Sequence, residues 1–197
     1  MKETGLMFRP EMVRAILENR KTRTSRPLKP QPVLANGVWT WKGTAWDEAG
    51  AILSERFPVD LCPYGGPGDL LYVKETWARI EFGFQPEIVY RADEPNLAMA
   101  KNAFNGWKSS MFMPKAVARV WLEITGVRVQ RIQEISPRDI IEEGIRQRVD
   151  LHPRDAMYVE KKAFVQLWDT INEKKGFAFH TNPWVWVISF NRELAMG

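Results

Sequence analysis

Val117-Ala118-Arg119-Val120-Trp121-Leu122-Glu123-Ile124-Thr125-Gly126-Val127-Arg128-Val129-Gln130-Arg131-Ile132 is the most regularly patterned stretch of the chain. Val120, Leu122 and Ile124 fall on one side of an extended backbone, and Arg119, Trp121 and Glu123 fall on the other. That period of two is the signature of a strand with one buried face. Gly126 interrupts the pattern and predicts a bend or bulge, after which Val127 and Val129 resume it. Two further segments read as partners. Leu70-Leu71-Tyr72-Val73 follows the dense turn signal Cys62-Pro63-Tyr64-Gly65-Gly66-Pro67-Gly68-Asp69. Trp184-Val185-Trp186-Val187-Ile188-Ser189-Phe190 closes the chain, with Pro183 where a strand start permits it. The expectation is that 68–77, 117–132 and 184–191 are strands of one barrel-like sheet.

The intervening residues predict helices near 10–20, 137–143 and 161–173. In the first, Pro10 sits at the start, Met12, Val13, Ile16 and Leu17 recur at helical spacing, and Asn19 suits a left-handed end. In the second, Ser136 suits the N-cap, Pro137 the first turn, Asp139 the N3 position and Gly144 the stop. The third carries Phe164, Leu167, Trp168 and Ile171 on one face. Residues 145–158 read as a loop, and Pro27, Pro30 and Pro32 forbid regular structure after the first helix. Trp39, Trp41 and Trp46 among Gly37, Gly43 and Gly50 suggest short strands or a hairpin excursion over 33–60. Residues 80–113 read as an irregular insertion with a strand near Ile88–Arg91. Strands do not alternate regularly with helices, so a doubly wound parallel sheet is not expected. The reading is α+β, with a small, mostly antiparallel barrel flanked by helices.

Composition narrows the class. At 197 residues, 45% hydrophobic and 26% charged, the chain has the balance of an ordinary globular protein and the length to bury a core. A lone cysteine, Cys62, cannot form an intrachain disulfide. No signal peptide is read at the start and no apolar run spans a bilayer, so the expectation is a cytoplasmic protein with no membrane association. The net charge of +4 permits an anionic ligand. The 9 tryptophans could stack on bases, but filling the core is the commoner use.

The common catalytic motifs are missing. His152, His180 and Cys62 share no zinc-ligand spacing, and there is no phosphate loop, nucleophile elbow or dinucleotide fingerprint. Asp69 and Glu75 could pair, although nothing in the sequence fixes their distance. Arg20-Lys21-Thr22-Arg23-Thr24-Ser25-Arg26 is different. It is either a solvated basic turn or a place where guanidinium groups grip phosphates. A lysine beside a threonine can also act as base and nucleophile, provided burial or neighbouring cations lower the lysine pKa. Glu142-Glu143-Gly144 ends the second helix. That end of a helix dipole disfavours carboxylates, so either both are solvated or one is held there for a purpose.

Met12 to Thr24 resembles the opening motif of ASCH domains, members of the PUA-like superfamily. Pro67-Gly68-Asp69-Leu70-Leu71-Tyr72-Val73-Lys74-Glu75-Thr76-Trp77 resembles the strand of the phage and prophage-type branch. Ile124 to Val129, Ile135 to Gly144 and Asn182 to Phe190 resemble its later elements, in the same order. The resemblance implies one ASCH domain over 1–197, a barrel with helices beside a cleft, and insertions near 33–60 and 80–113. Ser25 stands where that branch often has Arg.

Some small ASCH proteins are amidohydrolases that remove the acyl group from N4-acetylcytidine, and others have been read as RNA-binding modules or as a ribonuclease. Carried over by motif, the resemblance implies Lys21, Thr24 and Glu143 as catalytic residues, with no metal or organic cofactor. Arg20, Arg26, Glu75 and Trp77 are the expected substrate contacts. For Glu75 and Trp77 the plainer alternative is a salt bridge with Lys74 and barrel packing. The expected ligand is a nucleoside or RNA. The leading expectation is an amidohydrolase acting on N4-acylated cytosine nucleosides. The alternatives are a non-catalytic RNA- or nucleotide-binding module and a ribonuclease using the same cleft.

Overall fold

The computed structural model describes residues 1–52, 54, 58–82, 85–93 and 106–193. Part of the expected 80–113 insertion lies outside the described residues. In chain order the elements are β1 (Glu3–Met7), α1 (Pro10–Leu17), β2 (Arg23–Pro27), β3 (Val33–Ala35), β4 (Val38–Trp41), β5 (Thr44–Asp47), β6 (Leu70–Lys74), β7 (Trp77–Phe82), β8 (Gln85–Tyr90), β9 (Trp121–Arg131), α2 (Pro137–Glu142), α3 (Pro153–Asn172) and β10 (Trp184–Glu193). The molecule mixes helices with sheets. Its main sheet has the order β1-β6-β9-β10-β2. Only β1 and β6 run parallel; the other three pairings are antiparallel. The three segments expected to share a sheet do so over Leu70–Lys74, Trp121–Arg131 and Trp184–Glu193, as its middle three strands, while Trp77 falls in the separate β7–β8 ladder. Among the described residues no ladder joins the two edge strands, β1 and β2, so the pairings observed make an open sheet.

The bulge expected at Gly126 falls where β9 meets β10. Gly126 pairs with Ser189 and Ile124 with Phe190, leaving Thr125 as the extra residue. One extra residue inverts the alternation. Leu122 and Ile124 face one core before it, and Val127 and Val129 pack against that same core after it. Arg128 is thereby turned to the opposite face, where it meets Asp139 of α2 at 3.0 Å.

Two cores lie on either side of β10. Trp186, Ile188 and Phe190 join Leu71, Val73, Leu122 and Ile124 on one face. Val185 and Val187 join Ile132, Ile140, Phe164 and Trp168 on the other, beneath α2 and α3. A strand covered on both faces needs apolar residues at consecutive positions, which is why 184–190 reads as a continuous run and not an alternation. The 33–60 excursion is a three-stranded antiparallel sheet. Its tryptophans complete the first core: Trp41 meets Trp186 edge to face at 5.4 Å, and Trp39 and Trp46 meet Trp184 at 5.3 and 5.4 Å.

Three expectations are corrected. The basic segment after α1 is no irregular turn: Arg23 to Pro27 form β2, paired with β10. Its polar residues hid it, and Pro27 is tolerated at the end of an edge strand, where one side of the backbone needs no partner. Glu3–Met7 forms a strand that the sequence reading passed over. Finally, α3 begins at Pro153, inside the expected loop, with His152 as its cap. Met157 and Tyr158 in its first turns are exposed, so the apolar periodicity starts only further along.

Ile188→Ala, at the centre of the doubly covered strand, is expected to lower the unfolding free energy by about 2–5 kcal/mol. Arg138→Ala on the exposed side of α2 should stay within about 0.5 kcal/mol. Urea denaturation of both variants checks this.

Candidate functional site

The site is assembled where the end of α1 meets the end of α2. Asn19 takes a left-handed conformation (φ 56°) and turns the chain out of α1. The amides of Arg20 and Lys21 both donate to the Ala15 carbonyl, at 2.8 and 3.0 Å. The second helix is started by a reciprocal cap, in which the Asp139 amide donates to the Ser136 hydroxyl and the Ser136 amide donates to the Asp139 carboxylate. It is stopped at Glu143 and Gly144. Backbone pairing then joins the two ends: Lys21 bridges Glu143, and the Thr22 amide donates to the Glu142 carbonyl at 2.9 Å. Gly144 is required here for two reasons. Its φ is +95°, and a Cβ in its place would lie 3.1 Å from the Cβ atoms of both Ala15 and Lys21.

The result is a buried ion pair between residues 122 positions apart in sequence. The Lys21 ammonium donates to Glu143 Oε2 at 2.7 Å and to the Glu143 carbonyl at 2.7 Å. It thus occupies the negative end of α2 and neutralises both the helix terminus and the carboxylate. Glu142 and Glu143, equivalent in the sequence, are separated by the fold. Glu142 is partly exposed and pairs with Arg23 and Arg138, at 2.8 Å each. Glu143 is buried with Lys21, and its Oε1 has no hydrogen-bond partner among the described residues.

The surroundings set the Lys21 charge. Burial pushes its pKa below the ordinary lysine value, Glu143 pushes it back up, and Arg26 contributes a smaller push downward. Lys21 Nζ and Arg26 Cζ lie 5.9 and 5.2 Å from the centre of the same ring, Phe8. Arg26 itself is held below its ordinary value by loss of water around it, and it donates to the Met7 carbonyl at 2.8 Å. Thr24 alternates with Arg26 along β2 and so shares its face, pairing with Ile188. It is 3% exposed.

Two cavities flank this arrangement. One, of about 520 Å³, is lined by Glu143 and Gly144 with Arg9, Met12, Ala15 and Leu167. The other, of about 480 Å³, is lined by Arg26 with Tyr64, Trp41 and Trp186.

The remaining expected residues divide. Arg20 is at the rim, donating to Glu18 at 2.6 Å and to the Gly144 carbonyl at 3.0 Å. Glu75 is buried elsewhere. Arg119 grips both its oxygens, at 2.9 and 3.1 Å, and also pairs with Asp93 while stacked 4.0 Å from the Tyr90 ring centre. Burial raises the Glu75 pKa despite that partner. The expected alternative, a bridge from Lys74, is not what holds it, because Lys74 donates to the Met111 carbonyl. Asp69 does not join Glu75 either; it accepts from the Lys2 and Gly66 amides. Trp77 is buried under Lys108, whose ammonium lies 4.9 Å from the ring centre. Neither Glu75 nor Trp77 lines the two cavities beside Glu143 and Arg26. Phe8, which faces both cations, was missed. Leu6 and Phe8 are buried in alternation, a pattern too short to separate from noise before the strand is known.

Comparison with protein-family models, with curated proteins and with solved structures yields no match to this chain.

Removing one member of a buried ion pair leaves the other uncompensated. Lys21→Met and Glu143→Leu are each expected to cost about 3–5 kcal/mol, and the double variant markedly less than the two together. Guanidinium denaturation of the four proteins provides the cycle.

Proposed function

We propose that the protein is an amidohydrolase that removes the acyl group from N4-acylated cytosine nucleosides. The observation that carries the reading is the buried contact of Lys21 with Glu143, at 2.7 Å, with Thr24 also buried three residues further along the same segment. A buried lysine whose proton is loosened by desolvation is suited to general-base work. The ASCH resemblance names the same Lys, Thr and Glu. The PUA-like barrel it implies is supported by the Arg26 guanidinium, which reaches across from β2 to the Met7 carbonyl of β1.

In this mechanism neutral Lys21 takes the proton of the Thr24 hydroxyl as Oγ1 attacks the acyl carbonyl carbon. The tetrahedral intermediate collapses by breaking the carbon–N4 bond. The departing amine receives a proton from the Lys21 ammonium, with Glu143 holding that group in line. Water then attacks the Thr24 ester, again giving its proton to Lys21; the second tetrahedral intermediate breaks its carbon–Oγ1 bond, Oγ1 takes the proton back from the Lys21 ammonium, and the carboxylic acid leaves. One water is consumed, and cytosine nucleoside and acid are the products. A protein with one buried free thiol, Cys62, and this substrate suits the cytoplasm.

A non-catalytic RNA- or nucleotide-binding module is the second reading. It is favoured by the engagement of the Lys21 ammonium, two of whose three N–H groups already donate to Glu143.

Turnover of N4-acetylcytidine, followed by ultraviolet absorbance, separates the two. Wild type is expected to turn over, and Thr24→Ala and Lys21→Arg are each expected to lose at least about a hundredfold in rate. The guanidinium of Lys21→Arg keeps the charge but cannot accept a proton. No turnover by wild type rejects the hydrolase. The pH profile has a required sign. Only neutral Lys21 is a base, so the rate rises with pH along a limb centred below the ordinary lysine value of 10.5. A limb at or above that value removes Lys21 from the role.

A further inference from the structure

The cavity lined by Arg26 holds an unusual charge balance. Lys29, Lys42 and Lys175 join Arg26 in its wall, and among the described residues no carboxylate does. The three lysines come from three separate places: the end of β2, the β4–β5 turn and the segment after α3. None of the four cations is in an ion pair among the described residues. Lys29 and Lys42 lie over aromatic faces, 5.3 Å from the centre of Phe177 and 4.8 Å from that of Trp41. A ring orients an ammonium group but leaves its charge in place. Lys175 is exposed; partial loss of water lowers its pKa, and the charges of Lys29, Arg26 and Arg9 lower it further, so Lys29 and Arg26 act on Lys175 from the same cavity wall.

Four cations line this cavity, Arg26 feels an opposing carboxylate, that of Glu143, and an anion would relieve the remaining excess of positive charge. The floor of the cavity leads back to the site, since Arg26 shares the Phe8 ring with Lys21. A volume of about 480 Å³ suits a small molecule. Lysines on flexible stems fit the point charges of a terminal phosphate.

We propose that this cavity is a phosphate-binding subsite and that the protein takes a nucleoside monophosphate, its phosphate held by Lys29, Lys42, Lys175 and Arg26. The identity of the base rests on the N4-acylcytosine reading; the phosphate subsite does not. Lys42 belongs to the 33–60 excursion, which gives that three-stranded sheet a role in ligand choice.

The test is calorimetric titration of the whole protein at low salt with cytidine 5′-monophosphate, with cytidine and with a single-stranded oligocytidylate. Wild type is expected to bind the monophosphate at least about tenfold tighter than cytidine, a gap of roughly 1.4 kcal/mol. The gap should shrink as salt is added. The triple variant Lys29→Ala/Lys42→Ala/Lys175→Ala should lose most of that preference, and Lys175→Glu alone should weaken it, with thermal melts confirming that each variant is folded. Equal binding of nucleoside and nucleotide, binding of neither, or a preference that survives in the triple variant overturns the proposal. Tighter binding of the oligonucleotide than of the monophosphate overturns it in favour of a strand-binding groove. Binding of the monophosphate by a protein that does not hydrolyse N4-acetylcytidine keeps the subsite and rejects the hydrolase. Hydrolysis without phosphate preference does the reverse.

Discussion

A lysine ammonium buried against a single carboxylate is the constraint on which the rest of this structure depends. Taking both charges out of water is costly, and the cost is offset only if each finds good partners. Lys21 finds two, the carboxylate and the main-chain carbonyl of Glu143. For that to happen, α1 ends in a left-handed turn at Asn19, and the chain leaves α2 at Gly144, whose positive φ strains any other residue and whose place a Cβ would crowd. The β9 bulge turns Arg128 toward Asp139, which also caps the start of α2. Elements far apart in sequence are thus arranged so that one proton donor and one acceptor meet inside.

The same constraint explains how the charge could be used. Burial loosens the Lys21 proton and Glu143 retains it, so the two effects oppose each other. A substrate that draws Glu143 away, or replaces its hydrogen bond, would shift that balance toward the neutral amine. Glu143 Oε1, buried and without a partner among the described residues, is the atom available for such an exchange. Arg26 couples this pair to the basic cavity through the shared Phe8 ring. The buried pair and the basic cavity are therefore neighbours in the fold.

How much could be read from the sequence follows from physics. The middle strands were legible because burial on one face, or on both, leaves a direct record in side-chain polarity, as in Leu122 and Ile124 or in Val185 to Ile188. The edge strands β1 and β2 were not. Glu3, Arg23 and Arg26 are polar, and their backbone pairing leaves no such record. Of the seven residues singled out, Lys21 and Glu143 meet, and Thr24 and Arg26 share one strand face near them. Glu75 and Trp77 lie apart from them, and their own partners, Arg119 and Lys108, lie 44 and 31 positions away, beyond any local pattern. The basic cavity was illegible for the same reason. Lys29, Lys42 and Lys175 are unremarkable singly and gain meaning only when the β4–β5 turn and the end of α3 converge.

The most direct test of the central claim is titration of the Lys21 amine itself. Protein carrying carbon-13 at the lysine ε-carbons would be followed by nuclear magnetic resonance across alkaline pH, with the Lys21 signal assigned by its absence in Lys21→Met. The account predicts that this signal titrates below the ordinary lysine value of 10.5 and moves lower still in Glu143→Gln, because the carboxylate is what holds the proton on. A Lys21 signal that titrates at or above the ordinary value, or that is indifferent to Glu143→Gln, contradicts it.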